Sequence, residues 1–395
     1  MKAINQLSFF EEERLTQQEA IALTIEALRD RINQYDHIGI AYSGGKDSTA
    51  LVCCVINLIE QGKIPRPKKL SVIFADTRQE LPPLYKAARS MLREIKKRGF
   101  NAQEAIADID NRFLVYILGR GVPPPSNTFR WCTPRIKVEP MMKAIASLRK
   151  EGDRVLMLTG VRLGESAVRD RRIVMSCTRD GGECGQGWLQ TETFPAVDTL
   201  APLIHWRVCH VWDYLVEAEL ERGWPTYLVA ETYGGDERYE NNARMGCVGC
   251  PLVQHDTALE RLVFKAEWAY LSPLLQLKEI YREMRSFKYR LQKDGTETRK
   301  DGTLVSNPGR KGPLTLEARL YFLSQILEIQ QEVNVRALRC GGELVEVVSR
   351  EEEERIRALI AAKTWPQGWS GDEPVGDVLL PHVYRDGSKQ LLLWG

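Results

Sequence analysis

The chain has 395 residues, 43% of them hydrophobic and 27% charged, with a net charge of +2. This is enough apolar material for a full core and two or three domains, so a globular protein is expected. The longest apolar runs, such as 52–59, fall far short of the roughly 20 residues of a membrane span, and the opening stretch MKAINQLSFFEEERLTQQEA is too acidic for a secretory signal. A cytoplasmic location without membrane association is expected, and with so little net charge any nucleic-acid binding must rest on local patches.

In chain order, Ile21, Ile25, Leu28 and Ile32 recur three or four apart and predict an amphipathic helix over about 16–35. HIGIAYS then reads as a strand, DSTALVCCVINLIEQG as a helix stopped at Gly62, and KLSVIFADT as a second strand. PPLYKAARSMLREIKKRG is a helix, and DRVLMLTGVR a later strand. Strands alternating with helices predict an α/β fold with a doubly wound parallel sheet, in which ligands sit at the carboxyl ends of the strands. YSGGKDS, ADTRQE and TGVRLGES all lie at such ends.

The segment SGGKDS, residues 43–48, is neither a Walker loop nor a dinucleotide fingerprint. Its chemistry is nonetheless that of a phosphate nest. Gly44 and Gly45 let the backbone approach an anion, and the following helix aims free N–H groups and its positive dipole end at it. Ser43 and Ser48 add hydroxyls, Lys46 adds a point charge, and Asp47 is suited to the Mg²⁺ that accompanies a triphosphate.

Nine cysteines in a reducing compartment point away from disulfides. Cys53, Cys54, Cys209 and Cys340 read as small buried hydrophobes. ARMGCVGCPLV carries a C-x-x-C, Cys247 and Cys250, and MSCTRDGGECGQGW carries Cys177 and Cys184. Four thiolates suit zinc or a 4Fe–4S cluster, and their spacing does not separate the two; a redox pair at the C-x-x-C is a further reading.

Taken together, SGGKDS, FADTRQE, RWCTPRIKVEP and TGVRLGESAVRDRR resemble the ATP-pyrophosphatase (PP-loop) superfamily. The nearer resemblance is to its phosphoadenosine-phosphosulfate reductase branch, and within it to the sulfurtransferases of bacterial DNA phosphorothioation, the DndC and SspD type. The likeness runs over about 36–255. It implies an ATP-dependent sulfurtransferase that splits ATP between its α and β phosphates and adenylates an oxygen of the DNA backbone, which sulfur then replaces. Implied with it are ATP, Mg²⁺ and a 4Fe–4S cluster, a cysteine desulfurase as sulfur donor, and other phosphorothioation subunits through which DNA is engaged.

Carried onto this chain, the resemblance gives Ser43, Gly44, Gly45, Lys46, Asp47 and Ser48 to the ATP phosphates and Mg²⁺, with Asp76 and Glu80 near the adenosine or metal. Arg130, Arg135 and Lys137 add positive charge. Gly160, Arg162, Glu165, Ser166 and Arg169 form a far wall, with Arg162 stabilising the leaving pyrophosphate. Cys177, Cys184, Cys247 and Cys250 rank first as cluster ligands. Cys132 stands where cluster-bearing sulfonucleotide reductases have a Cys-Cys pair, so a ligand or sulfur-carrying role is open to it. Those reductases usually carry a nucleophilic cysteine on a C-terminal tail, whereas here Cys340 stands some 55 residues before YRDGSKQLLLWG ends, which speaks against plain sulfonucleotide reduction. Transfer RNA or a sulfonucleotide as substrate, and a non-catalytic assembly role, remain the alternatives.

The expected organisation is a helical segment over 1–36, an ATP-pyrophosphatase domain with the cysteines over 37–255, and a smaller, mainly helical domain over 256–395. Residues 281–311 hold nine Lys or Arg against four Asp or Glu, with Tyr281, Phe287 and Tyr289 interleaved. Such a patch can follow a phosphate backbone or form a solvated hairpin. The acidic run 351–354 suits the first turn of a helix.

Overall fold

The computed structural model describes residues 15–164, 188–194, 197–235, 246–293, 302, 310–376, 382–383 and 388–390. Cys177, Cys184, Glu165, Ser166 and Arg169 lie outside the described residues. The chain divides into two compact units, each assembled from separate stretches. The first comprises 1–75, 83–105 and 141–242, and the second 76–82, 106–140 and 243–395.

The first unit is built on a sheet of six strands: β1 His37–Tyr42, β2 Leu70–Asp76, β3 Asn101–Ile106, β4 Val155–Leu158, β5 Trp188–Phe194 and β6 Val197–Ala201. Their order is β3-β2-β1-β4-β6-β5. β1 runs parallel to both β2 and β4, β4 runs parallel to β6, and β5 is antiparallel to its neighbour β6. The expected α/β fold with a mainly parallel sheet is therefore present. β2 and β4 flank β1 on opposite sides, which makes the β1/β4 boundary a topological switch point, where loops leave a crevice outside the carboxyl ends.

Helix α1, Gln17–Ile32, starts at a capping box in which Thr16 accepts from Glu19 N and the Glu19 carboxylate accepts from Thr16 N at 2.7 Å. Helix α2, Lys46–Glu60, is buried along nearly its whole length, Cys53 and Cys54 included. Its Asn57 accepts from Trp224 Nε1 (2.9 Å) and donates to the Tyr214 hydroxyl (3.0 Å), tying it to the helix Val208–Arg222. Helix α3 is Pro82–Lys97, and α4, Glu139–Leu148, packs Ile145 and its neighbours against Ile73, Val155, Met157 and Val197 of the sheet.

The second unit is mainly helical, with the long helix Leu316–Cys340 and the helix Arg350–Ala361, whose capping box joins Ser349 and Glu352 and whose acidic residues occupy the first turn as expected. A short antiparallel ribbon pairs Arg290–Gln292 with Lys311–Leu314. Cys209 and Cys340 are exposed, contrary to expectation, because each sits on a helix position that no core faces.

Candidate nucleotide loop and thiol cluster

In the first unit, residues 43–48 join β1 to the N-terminus of α2 at the switch point. Gly44 has φ +79°, the left-handed region that an L side chain rarely adopts, and a Cβ there would stand 3.3 Å from the Ala88 methyl. Gly45 caps the helix in extended conformation, without a side-chain cap. No side chain of the cap residue fills the N-terminus of α2, whose positive dipole end suits an anion. Ser48 Oγ braces the turn: it accepts from Ser43 N (3.2 Å), donates to Gly45 O (2.9 Å) and lies 3.0 Å from Ser43 Oγ.

Three charges stand beside the loop, two of them buried and the third, Asp47, partly so. Asp47 receives Arg162 Nε on one carboxylate oxygen at 2.5 Å and Lys46 Nζ on the other at 3.3 Å. The side chains of Arg162, Lys46 and Asp47 are only 3%, 8% and 16% exposed. Arg162 also donates from Nη1 to Trp206 O (3.2 Å), so its position is set from two sides. Two cations share one carboxylate, and the residual positive charge, desolvated at a helix N-terminus, favours an anion. Since both Asp47 oxygens are engaged, Mg²⁺ fits at Asp47 only if Lys46 swings onto the phosphates.

Gly160, at the end of β4, is pressed onto this loop. A Cβ there would come within 2.9 Å of Asp47 C and Ser48 N, so only glycine lets the β4 loop seat against the phosphate turn. Tyr233 went unnoticed in the sequence. Its ring centroid lies 5.1 Å from Lys46 Nζ and its hydroxyl accepts from Lys46 N at 3.4 Å. Nothing local in ETYGG announces that contact. Ser43, Gly44, Gly45, Lys46, Asp47, Ser48, Gly160 and Arg162 are brought together in one place.

The second unit holds the remaining candidates. Asp76 closes β2 and accepts from Arg78 N (2.8 Å); Thr77 Oγ1 donates to Glu80 (2.6 Å). Arg78 sits at φ +60°, a conformation of the kind that clusters at functional loops. Burial raises the Glu80 pKa, with the Asp76 charge adding to it and the Thr77 hydrogen bond opposing it. Val248 N donates to Gln79 O (2.7 Å), fastening the C-x-x-C loop to this turn.

That loop is tightly made. Cys250 N donates to Cys247 O (3.1 Å), and Gly249, at φ +62°, leaves no room for a Cβ against Leu277 and Tyr281. Asp256 accepts from Gly249 N (2.9 Å), and Lys278 Nζ donates to Cys250 O (3.2 Å) and Val253 O (2.7 Å). Burial pushes the Cys247 thiol up to about 11, against the pull of Lys137 and with contributions from Glu80, Cys250 and Cys132. Cys132 is likewise raised, by burial and then by Cys250. Cys132 and Cys247, 115 residues apart in the chain, are therefore both within electrostatic reach of Cys250. Among the described residues, however, no three His, Cys, Asp or Glu side chains stand at metal-site spacing. The donor set, three soft thiols beside a lysine, suits iron or zinc chemically, and binding would have to draw the thiols together and displace their protons.

Fold and loop together make an α/β domain with an anion-binding turn at the carboxyl end of β1. A family model for the phosphoadenosine phosphosulfate reductase domain matches residues 37–224, which supports placing this part of the chain with such domains. An uncharacterized protein of Methanocaldococcus jannaschii is 28% identical over 223 residues, 54% of this chain and 36% of that protein. The chain thus spans about a third of the length of the curated relative it matches. Among solved structures, a phosphoadenylyl-sulfate reductase of Candida auris in a phosphate complex is similar at 17% identity and TM-score 0.31, over 53% of this chain and 93% of that one. The tRNA thiolase NcsA of Methanococcus maripaludis, with its 4Fe–4S cluster, is similar at 15% identity and TM-score 0.32, over 57% and 76%. An FMN adenylyltransferase of Candida glabrata with FMN and an ATP analogue is similar at 15% identity and TM-score 0.33, over 51% and 58%. Likenesses of this size assign no chemistry. Among the described residues no helix is long and apolar enough to cross a membrane.

Proposed function

We propose that the chain is an ATP-dependent sulfurtransferase with ATP-pyrophosphatase activity that modifies the DNA backbone, acting in the cytoplasm with a cysteine desulfurase and other phosphorothioation subunits. The observation that carries the reading is the SGGKDS turn at the switch point, with Gly44 at φ +79° and Gly160 pressed against it. It is accompanied on the same chain by Cys132 and Cys247, both within electrostatic reach of Cys250.

In this reading the α2 N–H groups, Lys46 and the hydroxyls of Ser43 and Ser48 bind the ATP phosphates, and Asp47 and Mg²⁺ order the triphosphate. A non-bridging phosphodiester oxygen attacks the α-phosphorus and pyrophosphate leaves, its charge compensated by Lys46 and Arg162. Hydrosulfide, released from the desulfurase persulfide by a thiol reductant that becomes a disulfide, then attacks the activated phosphorus and forms the P–S bond as AMP departs with the oxygen. Asp76 and Glu80 belong to the nucleotide or metal end of the reaction. Cys132, Cys247 and Cys250, with Cys177 and Cys184 as further candidate thiols, would hold the 4Fe–4S cluster, which when bound would supply the sulfur-handling chemistry. Measuring pyrophosphate release with DNA, with transfer RNA and with sulfonucleotides tests the proposal. Stimulation by DNA supports it, and stimulation confined to either of the others overturns the choice of acceptor.

A further inference from the structure

The second unit contains a cavity of about 710 Å³ that none of the roles above uses. Its size lies within the roughly 300–1,000 Å³ of small-ligand sites. The wall mixes aromatic rings, among them Phe129, Phe287 and Trp369, with the cations Arg285, Arg290, Arg310 and Lys311, and among the described residues no Asp or Glu lines it. Phe129 and Phe287 are about half exposed, at 49% and 51%.

The arginines Arg285 and Arg290 are held in place by backbone carbonyls. Arg290 donates to Gly312 O (2.8 Å) and Lys311 O (3.1 Å), and Lys311 Nζ donates to Gln292 Oε1 and to Gly376 O. Carbonyls orient a guanidinium without cancelling its charge, so the cavity keeps a positive field in a partly desolvated wall. Burial lowers the Arg290 pKa to about 10, which leaves it charged at neutral pH. Lys311 lies 4.4 Å above the Phe287 ring centroid, placing charge and π-face side by side. A ligand that offers an aromatic plane and an anion a few ångströms apart is the chemical complement of this wall.

The cavity also adjoins the thiol loop. Arg285 donates to Pro125 O and to Pro251 O (3.1 Å), the residue after Cys250, and senses the Cys250 charge. Phe129 stands three residues before Cys132. Both chain segments that carry the three thiols therefore contribute to, or are bonded to, the cavity wall.

We propose that this cavity seats one unpaired nucleotide of a single-stranded polynucleotide, its base on the Phe129 and Phe287 faces and its phosphate against the arginines, beside the thiol loop. The inference deepens the reading of the chain as a nucleic-acid-modifying sulfurtransferase and rests on it for the identity of the acceptor. Stacking on aromatic faces with charge along the backbone is how single strands are held without base readout.

The test uses the full chain and fluorescence anisotropy with a labelled single-stranded DNA, the single-stranded RNA of the same sequence, the DNA duplex, and AMP as competitor. A single strand should bind more tightly than the duplex, the tighter of DNA and RNA identifying the polymer, and affinity should fall steeply with salt. Phe129→Ala combined with Phe287→Ala should weaken binding by tenfold or more, in line with the loss of base stacking. Phe264→Ala, on an equally apolar but exposed residue outside the cavity, should change nothing. Unchanged affinity in the double variant, equal binding of duplex and single strand, or competition by AMP at matched nucleotide concentration would each overturn the seat. If the double variant loses binding while no nucleic acid stimulates pyrophosphate release from wild type, the seat stands and the proposed reaction falls. If release is stimulated and the double variant binds normally, the reverse holds.

Discussion

Replacing Gly160 with alanine tests whether β4 and the phosphate turn form one device. The added methyl would meet Asp47 C and Ser48 N at 2.9 Å and Asp47 O at 3.0 Å, against 3.4–4 Å for ordinary contact, so about half an ångström must be found. The opposing atoms are backbone, not the flexible end of a side chain, and either the turn or the end of β4 has to move. Overpacking of this kind costs about 1–3 kcal/mol. For a unit of some 200 residues that corresponds to a fall in melting temperature of about 2–12 °C. The functional loss should be larger in proportion, because misplacing a reacting group by about 1 Å costs on the order of 100-fold; pyrophosphate release should drop roughly tenfold to a hundredfold. Differential scanning fluorimetry and a coupled pyrophosphate assay read the two effects. Gly246→Ala serves as the comparison for stability, since a Cβ there meets nothing within 4 Å. A Gly160→Ala protein that melts and turns over like wild type would show that β4 does not press on the turn and that the site geometry is misassigned.

Lys46→Ala should lower pyrophosphate release by about 100- to 1000-fold while leaving bound iron unchanged, since it removes a donor to developing phosphate charge. Arg162→Met leaves the nearly buried Asp47 with Lys46 as its one remaining cation and should destabilise the first unit by about 3–5 kcal/mol in urea unfolding; a loss below 1 kcal/mol would mean that the Arg162–Asp47 pair is not a structural link. After anaerobic iron–sulfide reconstitution, Cys132→Ser, Cys247→Ser and Cys250→Ser should each retain less iron, and Cys53→Ser and Cys340→Ser should match wild type; retention in Cys132→Ser with loss in Cys177→Ser would return the ligand set to Cys177, Cys184, Cys247 and Cys250. Asp110 receives both Arg355 nitrogens at 2.6 and 2.7 Å, and this hydrogen bonding holds its carboxyl below the ordinary value. Its contribution is present above the unfolded carboxylate pKa of about 3.9 and lost as pH falls through the lower folded value. The stability gap between wild type and Asp110→Asn should therefore close on acidification, and a gap that widens would contradict the assignment.

Much of the local structure was readable in the chain, because its free energy is local. Thr16 with Glu19 and Ser349 with Glu352 cap their helices through contacts three residues apart. The run from HIGIAYS through SGGKDS into an apolar helix encodes strand, turn and helix in consecutive residues, and φ > 0 at Gly44 is what a glycine in a phosphate turn anticipates. Alternation of strands and helices pointed to the α/β class for the same reason.

Long-range partners were a different matter, since periodicity carries no record of which strand lies beside which. β4 comes to rest next to β1 through the sheet order, and only then do Gly160 and Arg162 reach Asp47 across more than 110 residues. The ring of Tyr233 beneath Lys46 has no signature in its neighbours. Cys132 belonged to no spaced pair, yet folding brings it within electrostatic reach of Cys247 and Cys250, while Cys209 and Cys340, read as core, face outward. A lone cysteine's surroundings are set by packing of distant segments, and the same holds for the basic, aromatic cavity, whose wall is gathered from stretches between Tyr116 and Trp369. Residue types and spacings specify what chemistry is available, and the packing of distant segments within each unit selects which of those residues meet.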